Sequence, residues 1–138
     1  MFNTSIKNNA DNKRVLAINI SGVIVSSGYW DDETGSDQIT KIINSFSATE
    51  NDEITVSINS VGGDYFAGVS IYNTLKNSPA KVITKNMGIA ASAACVIFMA
   101  GDERIVYSGT STMTHDPLVE AYGNADSLRD VANTLDDI

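Results

Sequence analysis

Between residues 54 and 85 the hydrophobic period of the chain changes twice, and few folds accommodate such a pattern. Ile54, Val56 and Ile58 alternate with polar residues, the two-residue period of a strand with one buried face. After Gly62-Gly63, Ala67, Ile71 and Leu75 recur at every fourth position, as along one face of a helix. Residues 81–85, Lys-Val-Ile-Thr-Lys, return to strand chemistry. Strand, helix and strand in this order make parallel strands joined by a covering helix.

Flanking segments extend the pattern. Arg14–Val25 is apolar and β-branched, and its Ser21-Gly22 interruption predicts two short strands about a bend. Ser36 suits a helix cap, with Ile39, Ile42, Ile43 and Phe46 following at helical spacing. A loop over 86–91 is expected to lead into an apolar helix over 92–100, closed by Gly101-Asp102. Residues 104–107 and 112–115 read as strands, the second ended by Asp116-Pro117. The segment 124–138 carries Leu128, Val131, Leu135 and Ile138 on one helix face. The expected fold class is α/β, in a single domain over 14–138. The Asn-rich, charged residues 1–13 are expected to be a mobile tail.

Composition excludes several function classes. A chain of 138 residues with 43% apolar side chains can bury a real core. Its net charge of −8, with nine Lys and Arg, does not suit nucleic-acid binding. The single cysteine, Cys95, forbids an internal disulfide and a multi-cysteine metal site, and its apolar setting predicts a core residue. The longest apolar run, 89–100, is too short for a bilayer, and the N-terminus lacks the apolar core of a signal peptide. A cytoplasmic protein with no membrane or nucleic-acid partner, no metal and no cofactor is expected.

Two segments carry chemistry. Ser92 lies in Gly88-Ile89-Ala90-Ala91-Ser92-Ala93-Ala94, where small residues give way to a helix. A serine there is an ordinary N-cap; it is also where a helix dipole assists an oxyanion and small neighbours admit a carbonyl. His115, the only histidine, follows Met113-Thr114 and is the one imidazole available as a general base. Asp116 is adjacent, and neighbours on a strand face opposite sides, so its side chain is expected to miss the imidazole. The Gly62-Gly63 turn and the Ala93 N–H are candidate oxyanion donors, although glycines serve any tight turn equally well. The Asp31-Asp32 pair is better read as a solvated loop.

Together these motifs resemble the Clp protease proteolytic subunit family, most closely its phage and prophage branch of Clp-like head-maturation proteases. Residues 58–73 look like the family's glycine strip and following helix, 88–94 like its nucleophile loop, and 113–117 like its histidine segment. Tyr29-Trp30-Asp31-Asp32 resembles an acidic-aromatic loop of the phage branch, and 122–126 the start of the handle helix. The resemblance implies a β/β/α superhelix shared with the crotonase fold, with Ser92 as nucleophile and His115 as base. The N–H groups of Gly62-Gly63 and Ala93 are implied as the oxyanion hole. It further implies peptide or protein substrates, ring-shaped homo-oligomers, and an unfoldase or phage capsid partner that the chain does not specify. Val61 stands where the family usually has proline. The family's catalytic aspartate lies beyond the handle helix, so no third triad residue is expected within this chain, whose handle helix reads as truncated. Two further expectations follow: a catalytically inactive structural remnant, and a crotonase-like acyl-CoA enzyme that uses an oxyanion hole without a serine nucleophile.

Overall fold

A computed structural model describes residues 3–138. Eleven elements follow in order: β1 (Asn3–Asn8), β2 (Arg14–Val25), β3 (Glu33–Gly35), α1 (Ser36–Phe46), β4 (Glu53–Gly63) and α2 (Tyr65–Lys76). They continue with β5 (Lys81–Ala91), α3 (Ala93–Phe98), β6 (Glu103–Val106), β7 (Ser111–Met113) and α4 (Ala125–Asp136). One seven-stranded sheet runs β1-β2-β4-β5-β6, with β3 beside β2 and β7 beside β5. Every pairing is parallel except β1 with β2.

The core lies on one face of the three long strands. Leu16, Ile18, Ile20 and Ile24 of β2, Ile54, Val56 and Ile58 of β4, and Val82 of β5 are all buried. Helices α1, α2 and α3 cover that face with Ile39, Ile43, Phe46, Ile71, Leu75 and Ile97. The period-two and period-four apolar positions thus meet, and burying them is the main stabilising term of the fold.

Several local expectations are corrected. Residues 1–13 do not form a tail where the structure describes them; residues 1 and 2 lie outside the described residues. Asn3–Asn8 pairs antiparallel with β2. The asparagines that looked like tail composition build the turn: Asn9 Oδ1 accepts from the N–H groups of Asp11 and Lys13, and Asn12 adopts φ 60°. Arg14–Val25 is one strand rather than two, because the interruption at Gly22 is only a register shift against β4. Ser36 does not cap α1; the cap is Gly35, and the buried Ser36 hydroxyl donates to the Ser26 carbonyl.

The expected loop over 86–91 continues β5. Between Ile58↔Asn86 and Ser60↔Ala90, two steps on β4 match four on β5, so β5 bulges. Buried Asn86 holds the bulge, accepting from the Gly88 N–H and donating Nδ2–H to the Ser111 carbonyl at 2.7 Å. That second bond ties β7 to β5 just before the residues that carry the chemistry.

Candidate active site

Strand β5 ends at Ala91 and the chain turns at once into α3. Ser92 makes the turn with φ 53° and ψ −126°. A residue with a Cβ held at positive φ costs about 1–3 kcal/mol, so the surroundings must enforce it. They do so through the main chain: the Ser92 N–H donates to the Met113 carbonyl of β7 at 2.8 Å, and the Ser92 carbonyl accepts from Cys95 N–H at 2.9 Å. The hydroxyl does not cap the helix. At α2 and α4, by contrast, the Asp64 and Asn124 side chains do cap. The Ser92 Oγ instead lies 3.0 Å from Nε2 of His115.

His115 reaches that position through register. Ala90 and Ala91 pair with Thr112 and Met113, so β7 runs alongside the last residues of β5. The strand stops at Met113, two residues sooner than the sequence suggested, and His115 belongs to the exposed segment beyond it. Its Nδ1 lies 2.5 Å from the main-chain carbonyl oxygen of Asp116. Among the described residues the Asp116 carboxylate makes no hydrogen bond to the imidazole.

The glycine pair forms the opposite wall. Gly62 and Gly63 end β4 at φ 100° and 147°. A Cβ on Gly62 would fall 2.6 Å from the Ala91 carbonyl oxygen, 2.7 Å from Ser92 Cβ and 3.0 Å from the Ala93 nitrogen. Only glycine lets β4 approach the serine turn this closely. The Gly62 N–H is already engaged, donating to Ser60 Oγ at 3.0 Å, while that hydroxyl donates to the Gly22 carbonyl at 2.6 Å. Ser60 escaped the sequence reading, although a serine two residues before a glycine turn is a recognisable hydroxyl-turn pattern. Buried at 1% exposure, it ties down the turn at which Val61 stands, itself 61% exposed.

Ser92, Ala93, His115 and Gly63 line a cleft of about 600 Å³ with Val61, Tyr65, Val96 and Leu118. A separate concavity of about 430 Å³ near the ends of α1 and α2 is lined by residues such as Asn44, Thr74 and Asn77 and has no titratable group. Asp31 and Asp32 are exposed and do not line the serine cleft. Cys95 is buried, and burial pushes its thiol pKa up, which keeps it protonated and unreactive. Asp64 also lines the cleft, but its carboxylate accepts from the Ala67 N–H and the Ser26 hydroxyl. Among the described residues no three His, Cys, Asp or Glu side chains gather as a metal ion requires, and no helix is long and apolar enough to cross a membrane.

The family model for Clp protease matches residues 7–138. The chain belongs to the Clp protease family. This Clp-family chain is 32% identical over 115 residues to the ATP-dependent Clp protease proteolytic subunit 3 of Rhodococcus jostii, covering 82% of itself and 57% of that protein. It is 33% identical over 117 residues to the ATP-dependent Clp protease proteolytic subunit of Cyanophora paradoxa, covering 80% of itself and 60% of that relative. It thus spans under two thirds of the length of either. Its fold matches a ClpP1 mutant from Listeria monocytogenes with a TM-score of 0.73, at 24% identity over 88% of this chain and 64% of that one.

Proposed function

We propose that this Clp-family chain is a serine peptidase in which Ser92 is the nucleophile and His115 the general base. The observation that carries this reading is the 3.0 Å contact between Ser92 Oγ and His115 Nε2, made by a serine whose strained turn turns its hydroxyl away from the helix it precedes. In the reaction the Ser92 oxygen bonds to a peptide carbonyl carbon as its proton passes to Nε2, and the carbonyl π pair moves onto oxygen. With the Gly62 N–H engaged by Ser60, the Gly63 and Ala93 N–H groups are the donors proposed for that oxyanion. Collapse breaks the C–N bond, and the leaving amine takes the proton from Nε2. Water then attacks the acyl ester, gives its proton to Nε2, and the proton returns to Ser92 as the acid departs. No cofactor enters any step.

The cleft suits an extended peptide or protein segment laid against the glycine end of β4. The unit that carries the chemistry is proposed to be a single domain over 14–138, to which β1 adds an edge strand. On α4, Leu128 is 43% exposed and no residue of the helix is buried, while Ile138, past its end, is 42% exposed and lines the serine cleft. The exposed Leu128 and half-buried Val131 and Leu135 of that helix support a homo-oligomer, a ring in the manner of the family, in the cytoplasm. The exposed Tyr29-Trp30-Asp31-Asp32 loop is the feature that favours the phage branch, with an unfoldase or capsid protein as partner. An acyl-CoA enzyme has no use for a serine held by a histidine, so the same contact favours the peptidase over it.

The test is covalent labelling with a fluorophosphonate. Mass spectrometry is expected to place one adduct on Ser92, absent in Ser92→Ala. A label on Cys95, or none at all, overturns the reading and leaves the inactive remnant.

A further inference from the structure

Strand β5 uses one edge twice. With β4 on its other edge, it pairs in parallel with β6 as far as Asn86↔Val106 and with β7 from Ile89↔Ser111. The bulge lies between these two registers, so the main-chain ladder passes from one strand to the next at Asn86. The Asn86 side chain spans that gap. It is fully buried, at 0% exposure, and its partners fix which way the amide points. The Gly88 N–H can only donate, so Oδ1 faces it at 3.1 Å; the Ser111 carbonyl can only accept, so Nδ2–H faces it at 2.7 Å. We propose that Asn86 is a positioning residue, which sets through β7 the distance between His115 Nε2 and Ser92 Oγ. The inference rests on Ser92 and His115 having the roles given above.

The position of β7 explains why one amide matters. The strand is three residues long, and all three are exposed, so core packing does not fix it. Beyond its ladder to β5 it is fastened at both ends: at Ser111 by Asn86, and at Met113, whose carbonyl accepts the Ser92 N–H at 2.8 Å. His115 lies two residues past Met113. Both reacting groups therefore hang from β5, Ser92 directly after its last residue and His115 by way of β7. Without the Asn86 bond, β7 enters the site with its first carbonyl unheld, and the displacement falls on the histidine rather than on the serine. Proton transfer across 3.0 Å is sensitive to this, since a misplacement of about 1 Å can cost about 10²-fold. An asparagine is nearly dictated here: an ionised aspartate lacks the donor, and a leucine lacks both groups.

Two variants of the full 138-residue chain test this, by fluorophosphonate labelling of Ser92 and by the NMR signal of its one imidazole. Asn86→Leu is close in volume and removes both bonds without burying a charge; labelling is expected to slow about tenfold or more in a folded protein. Asn86→Asp keeps an acceptor for Gly88 and removes only the donor to Ser111 while it is ionised. Once protonated, its O–H can replace the lost N–H. Its labelling rate relative to wild type at the same pH is therefore expected to fall as pH rises through that carboxyl's titration, which a purely structural role would not produce. Should either variant fail to fold, the other decides. In the NMR measurement, Ser92→Ala is expected to shift the His115 ring signal in the wild-type background and to leave it unmoved in the Asn86→Leu background, where the contact is already lost. A full shift in both backgrounds, or wild-type labelling by a folded Asn86→Leu, overturns the inference and spares the peptidase reading. Wild-type protein that takes no label, with the shift abolished by Asn86→Leu, does the reverse.

Discussion

The two halves of the site belong to differently packed parts of the molecule. Ser92 follows Ala91 and precedes Ala93, Ala94 and Cys95, all buried, at the junction of β5 and α3. His115 lies in a stretch where nothing after Gly101 is buried, and it is held by its contacts with Ser92 and the Asp116 carbonyl. The nucleophile is thus fixed by the core of the fold, and the base by local hydrogen bonds on an exposed segment. Such a base is the part of the site that further packing, for instance against another subunit, has most to steady.

The contrast predicts unequal costs for side-chain truncation. Ile71→Ala, in the core, should destabilise by about 2–5 kcal/mol, whereas Leu128→Ala on α4 should stay within about 0.5 kcal/mol in the isolated chain. Urea unfolding of both variants measures this. Equal losses would show that α4 is held as firmly as the core, and the comparison would fail.

Gly62→Ala strikes where the firm half meets the cleft. The positive φ alone costs about 1–3 kcal/mol, and the contacts at 2.6 and 2.7 Å force the serine turn to move. Loss of Ser92 labelling in a folded protein is the expected result. Wild-type labelling would mean that the glycine wall does not shape the site.

Ser60→Ala sharpens the same point more gently. It strands the Gly62 N–H without its acceptor, at about 1–3 kcal/mol, and should slow labelling by loosening the turn. Ser60→Thr, which keeps the hydroxyl, should restore much of the rate.

Much of this was legible in the sequence wherever side-chain period reports burial. The β4–α2–β5 pattern of Ile54, Val56, Ile58, Ala67, Ile71, Leu75 and Val82 is buried in the core as observed. The rest turned on main-chain geometry, which residue types report poorly. Asn9 and Asn12 read as tail until their turn is seen closing β1 on β2. The extension of β5 through residues 86–91 depends on Asn86 bridging to Ser111, a contact 25 residues away. Residue type points to the Asp116 carboxylate, which misses the imidazole as expected; the group that meets Nδ1 is a carbonyl that every residue possesses.

The smallest effect concerns acid. Arg14 and the Thr49 N–H hold the Asp52 carboxylate at a pKa of about 2. Its folded pKa lies below the unfolded value of about 3.9, so its stabilisation is complete above that value. It is lost as pH falls toward 2. Asp52→Asn should flatten that part of the acid limb in a stability profile, while labelling at neutral pH stays unchanged because Asp52 lies outside the cleft.

The central claim, that an exposed histidine activates a serine fixed by the core, is tested most directly by the rate of Ser92 labelling in His115→Gln against wild type. A general base contributes about 10²–10⁴-fold, and a fall of that order in a variant of unchanged stability is the predicted result. Equal labelling rates in the two proteins would contradict it.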